Sequence, residues 1–118
     1  MGYETRLIIG RKFEEEIEYG MTYFSKIAEI DLCKSNFFDT FLDKDRYTER
    51  LYFYDGYDKI ETDMYGKPLF SVPPAEILEF MKKHNRERYR RYNAAIPLLK
   101  SLIKDFQDEN LTCILFGH

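Results

Sequence analysis

The stretch that decides the fold is MTYFSKIAEIDLC, residues 21–33. Ala28, Ile30 and Leu32 fall on one side of it and Ile27, Glu29 and Asp31 on the other, the period of a strand with one buried face. Upstream, Thr5 to Lys12 (TRLIIGRK) reads as a first strand, and Phe13 to Gly20 (FEEEIEYG) as a short acidic connection punctuated by Gly20. Downstream, Arg50 to Tyr54 and Lys59 to Tyr65 flank Asp55-Gly56, a hairpin signal that pairs strands three and four antiparallel. Leu111 to Phe116 (LTCILF) is a nearly continuous apolar run and predicts a strand buried on both faces.

Between the hairpin and the last strand the period changes. Gly66-Lys67-Pro68 makes a turn, and Pro73-Pro74 opens a short helix carrying Ile77, Phe80 and Met81, where a missing amide hydrogen does least harm. That helix is expected to end near His84-Asn85. Tyr89, Tyr92, Ile96, Leu99, Ile103 and Phe106 then recur at three- and four-residue intervals, the stripe of a longer helix that Pro97 bends or restarts. Lys34 to Glu49 has no clear period, but Phe37, Phe38, Phe41 and Leu42 suit a helical turn that lids the core. The expected architecture is α+β: a mainly antiparallel sheet of about five strands with two helices from the C-terminal half on one face. Strand order stays open.

With 118 residues, 44% hydrophobic and 33% charged, the chain predicts one domain spanning 1–118 that folds without a staple. Ten Tyr and ten Phe exceed what one small core hides, so some rings are expected to face a partner or a groove. Cys33 and Cys113 are the only cysteines and sit in apolar runs, as buried reduced thiols do. The absence of a leader-like start and of any run of eighteen apolar residues points to a cytoplasmic protein with no membrane span.

The net charge is −3, yet KKHNRERYRRY, residues 82–92, gathers six Lys or Arg, one His and two Tyr. On a helix Arg86 and Arg90 are four apart and Arg88 and Arg91 three apart, so two guanidinium rows adjoin beside Tyr89 and Tyr92. Arginine forks match phosphate and carboxylate oxygens, and tyrosine stacks a base or donates its hydroxyl. The plain alternative is a solvated helix face paired with Glu76, Glu79 or Glu87. The acidic remainder of the chain argues against duplex nucleic acid, whose affinity comes from many phosphate contacts.

A second constellation is acidic. Glu29 with Asp31, and Glu61 with Asp63, are each two apart, so each pair shares a sheet face. On neighbouring strands the four would converge on Mg or Mn, or supply a general acid and base; otherwise they are a solvated face balanced by Lys26 and Lys59. His84 and His118 fit no ligand pattern, and His118 reads as dangling or capping rather than catalytic. Ser25, Ser35, Ser71 and Ser101 lack a nucleophile-elbow setting. Glu14 to Glu18 and Asp105 to Glu109 read as solvated loops, with a basic partner the alternative. No motif calls for a cofactor.

YETRLIIGRK, ETDMYGKPLF and the closing LTCILFGH give the chain a texture and segment order that resembles small uncharacterised accessory proteins of tailed-phage genomes. The resemblance implies a protein made in an infected bacterial cytoplasm, where such proteins block host enzymes or sequester signalling molecules. It implies no catalytic residues.

The expected function is therefore a non-enzymatic binding protein. It would engage a host protein or an anionic small molecule such as a nucleotide through Arg86, Arg88, Tyr89, Arg90, Arg91 and Tyr92. The competing readings are a small metal-dependent nucleotide hydrolase using Glu29, Asp31, Glu61 and Asp63, and an assembly protein that buries its surplus rings in a homo-oligomer.

Overall fold

A long two-stranded hairpin, β1 (Glu4–Glu18) with β2 (Met21–Lys34), forms the spine of the molecule. The structure is a computed structural model that describes residues 4–34, 46–83, 90–106 and 110–118. Tyr19 and Gly20 turn the hairpin with φ of 51° and 77°, the two positive values a type I′ turn needs. β1 thus runs on through the segment expected to be an acidic connection. It does so by bulging: Phe13 pairs with Tyr23 and Ile17 with Thr22, so Glu14, Glu15 and Glu16 are extra residues, all exposed.

β5 (Leu111–Gly117) pairs antiparallel with β1, and β3 (Arg50–Asp55) lies parallel to the start of β2. β4 (Asp58–Ile60) returns along β3 after a turn in which Gly56 has φ 65°. The order is β4-β3-β2-β1-β5, a mixed sheet in an α+β fold. The expected antiparallel pairing of the third and fourth strands holds, but the fourth stops at Ile60 instead of reaching Tyr65.

Residues 69–72 join the sheet's two sides. Leu51 N donates to Leu69 O (2.9 Å) and Ser71 N to Glu49 O (2.9 Å) on the β3 side. Val72 and Cys113 exchange two backbone bonds of 3.0 Å on the β5 side. The sheet thereby curls into a small barrel-like unit with two apolar layers.

The inner layer holds Ile8, Phe24, Leu51, Phe53, Leu69, Ile114 and Phe116. Phe24 is wholly buried, a contribution of about 2–3 kcal/mol from transfer out of water. Gly10 makes room for it at a register shift: a Cβ there would collide with the Ser25 carbonyl oxygen and come within 2.6 Å of the Phe24 ring.

The outer layer holds Leu7, Ile9, Leu32, Val72 and Cys113 beneath α1 (Pro74–Lys83) and α2 (Arg90–Asp105). α1 buries Ile77 and Met81 and carries Glu76 in its first turn and Lys82 and Lys83 in its last, matching the helix dipole. α2 buries Ala95 and Leu99, while Pro97 faces solvent, where a helix carbonyl left without its amide donor is open to hydration. Phe37, Phe38, Phe41 and Leu42, expected to lid the core, lie outside the described residues.

Candidate functional site

The inner face of the β1–β2–β5 sheet changes character along its length. Register places Ile114 beside Ile8 and Ile8 beside Glu29, then Phe116 beside Arg6 and Arg6 beside Asp31. His118 follows on the same face and donates its backbone N–H to Glu4 O at 2.9 Å. An apolar floor therefore runs out into a charged mouth. The alternation that the sequence showed in β2 is what turns Glu29 and Asp31 toward it.

A cleft of about 540 Å³ opens at that mouth. Ile8, Phe53, Ile60 and Phe116 line its apolar part; Arg6, Lys26, Glu29, Asp55 and His118 supply its polar groups. Arg6 Nε lies 2.9 Å from one oxygen of Glu29, and Lys26 Nζ lies 3.0 Å from the other. Two cations thus share one carboxylate.

His118 is held from several sides. Tyr65 Oη donates to its carbonyl oxygen at 2.9 Å. Asp63 accepts bonds from Gly117 N (3.3 Å), Tyr65 N (2.8 Å) and Lys67 N (3.0 Å), tying the 63–67 turn to the end of β5. The imidazole, 18% exposed, stands between Glu4 (Nδ1 to Oε2, 3.8 Å) and Asp31 (Nε2 to Oδ1, 3.7 Å). The expectation of a dangling or capping His118 is corrected: the sheet register packs its ring against two strands.

The four carboxylates of the metal alternative, which required neighbouring strands, do not assemble. Glu29 and Asp31 reach the mouth, but Glu61 lies 3.5 Å from Lys59, which also pairs with Glu18 at 3.3 Å. Asp63 is buried and turned onto backbone amides. The physical reason is that β4 neighbours β3, not β2, and ends before Glu61, so the two-residue spacing no longer sets a shared face. Glu4 and His118 are the mouth residues that sequence spacing missed. Only the β1–β5 register brings them together, since they stand at opposite ends of the chain.

Of the basic segment, Arg90, Arg91 and Tyr92 form the start of α2, whose first turn has no acidic residue. Arg86, Arg88 and Tyr89 lie outside the described residues. Surplus rings do reach the surface, as expected: Tyr19, Tyr54, Tyr57 and Tyr65 are exposed. Cys113 is fully buried, and burial pushes its thiol far above the ordinary range, which removes it as a nucleophile.

A larger cleft of about 850 Å³ lies between residues 46–49, the start of α1 and β5. Its polar groups bond to one another: Lys12 to Glu49 (2.8 Å), Arg46 to Glu76 (2.5 Å) and Tyr47 Oη to Glu76 (3.2 Å). The mouth differs in a carboxylate shared by two cations rather than by a cation and a phenol, and in His118 Nε2, a buried nitrogen with no hydrogen-bond partner.

No helix among the described residues is long and apolar enough to cross a membrane. Comparison with protein-family models, with curated proteins and with solved structures finds no match to this chain.

Proposed function

We propose that this chain is a non-enzymatic binding protein that takes a small anionic molecule into the mouth of its curled sheet. The observation that carries the reading is the pair Arg6 and Lys26 on the single carboxylate of Glu29, above an apolar floor. Asp55 stands on the same lining, so two cations face two carboxylates there, and an incoming anionic group gains its place by competing with Glu29 for Arg6 and Lys26, beside a surface that favours a ring or chain. A volume of about 540 Å³ falls within the roughly 300–1,000 Å³ common for small-molecule sites, which often lie at barrel mouths.

The test is a set of thermal melts with nucleoside monophosphates and aromatic carboxylates. A ligand preferring the folded state raises the melting temperature with concentration. The rise is expected for the parent protein and is lost in Arg6→Gln and Lys26→Gln. A rise of the same size in both variants refutes the mouth as the site.

A protein partner is the second reading. Ile17, Tyr19 and Tyr57 are 62%, 89% and 105% exposed, and apolar side chains this open favour burial against another surface. Light scattering separates self-association from a foreign partner: a dimer that Tyr57→Ser dissolves supports assembly.

A further inference from the structure

We infer that Glu4, Asp31 and His118 form a binding site for a divalent transition metal, with zinc the cation of first choice. One ligand atom from each residue lies within 4.8 Å of the other two. Donors bound to zinc at about 2.1 Å stand about 3.4 Å apart in tetrahedral coordination; Nε2, the nitrogen that would bind, lies 3.7 Å from Asp31 Oδ1, while Glu4 Oε2 faces the other ring nitrogen, Nδ1, at 3.8 Å. Closing the set takes a turn of Glu4, whose side chain is 40% exposed, from Nδ1 toward the Nε2 edge of the ring.

A second observation points the same way. His118 Nε2 is shut off from solvent and has no hydrogen-bond partner, a costly state for a polar atom. Its lone pair would be satisfied by a metal ion. Imidazole with two carboxylate oxygens is a donor set that suits zinc better than magnesium or calcium, which favour all-oxygen shells. The backbone supports the site from outside: His118 N on Glu4 O and Tyr65 Oη on His118 O fix the histidine against β1.

The site borders the cleft, since His118 lines both. Three protein donors leave a coordination position for water or for the anionic group of a ligand. This last step rests on the mouth being the ligand site, whereas metal binding itself does not. A bound dication also offsets the two carboxylates, which otherwise repel an anion approaching Arg6.

Isothermal titration of the tag-free, chelator-stripped full chain with zinc chloride tests the site. The expected result is a saturable 1:1 isotherm that weakens at least about tenfold in His118→Ala and Asp31→Asn. It stays unchanged in Glu61→Gln, His84→Ala and Cys33→Ser. Asp31→Asn preserves side-chain shape, so an unchanged melting temperature separates lost binding from lost folding. No saturable heat, or an isotherm that survives His118→Ala or Asp31→Asn, overturns the proposal. A 1:1 zinc isotherm with no anion response in the melts would sink the small-ligand reading alone.

Discussion

Asp63 and Gly117, 54 positions apart, are joined by a carboxylate–amide bond of 3.3 Å that locks the 63–67 turn onto the end of β5. The other Asp63 oxygen receives Tyr65 N and Lys67 N at 2.8 and 3.0 Å. Removing the carboxylate strands three backbone donors, one of them beside His118. Asp63→Ala is expected to cost about 3 kcal/mol in urea unfolding, and Asp63→Asn less, because one acceptor oxygen survives. Equal stability of Asp63→Ala and the parent protein would show that the turn is held by other means.

Gly10 sets the curvature of the hairpin. Any side chain there meets the Ser25 carbonyl oxygen and the Phe24 ring, and backbone does not yield as a flexible side chain does. Gly10→Ala is expected to lower stability by about 3 kcal/mol, as overpacking in a closed core does. A fall in the denaturation midpoint without a change in slope checks this.

Tyr19 occupies a left-handed position (φ 51°) that a bulky residue adopts at a cost. Asparagine followed by glycine suits that turn better. Tyr19→Asn is expected to stabilise the protein by about 0.5–1 kcal/mol, net of its contact with Lys59, whose Nζ lies 5.5 Å from the Tyr19 ring. A lower melting temperature in this variant would mean that the ring contact outweighs the turn.

Tyr47 and Tyr52 have phenols raised above the usual 10.0, in both by burial first, with Glu76 beside Tyr47 and Glu18 beside Tyr52 adding to it. A phenol whose folded pKa exceeds its unfolded one contributes stability that is fully present below pH 10. That contribution is lost as pH rises through the folded value. Absorbance titration should show a late-ionising fraction that Tyr52→Phe diminishes and that urea abolishes. A single transition near pH 10 in the folded protein would contradict it.

Much of the fold was legible where local signals dominate: the alternation of residues 21–33, the Asp55-Gly56 turn, the Pro73-Pro74 helix start and the apolar last strand. What escaped depends on contacts between distant segments. Glu14 to Glu16 read as a loop because a three-residue bulge erases the two-residue period, although β1 continues to Glu18. The parallel β2–β3 pair and the closure through residues 69–72 leave no local mark. Asp63 looked like half of a surface pair, but it is buried by a turn whose partner is the far end of β5. The mouth was half legible: Glu29 and Asp31 announced a face, whereas Arg6, Glu4 and His118 join them only once β1 lies between β2 and β5.

Ligand binding at this mouth is the proposal on which the functional reading stands. Backbone amide chemical shifts test it most directly, with the nucleoside monophosphate or aromatic carboxylate that stabilises the protein most titrated into nitrogen-15-labelled chain. Saturable movement is expected at Arg6, Glu29, Tyr54, Tyr65, Phe116 and His118. Movement confined to residues 82–92, with the mouth silent, contradicts it.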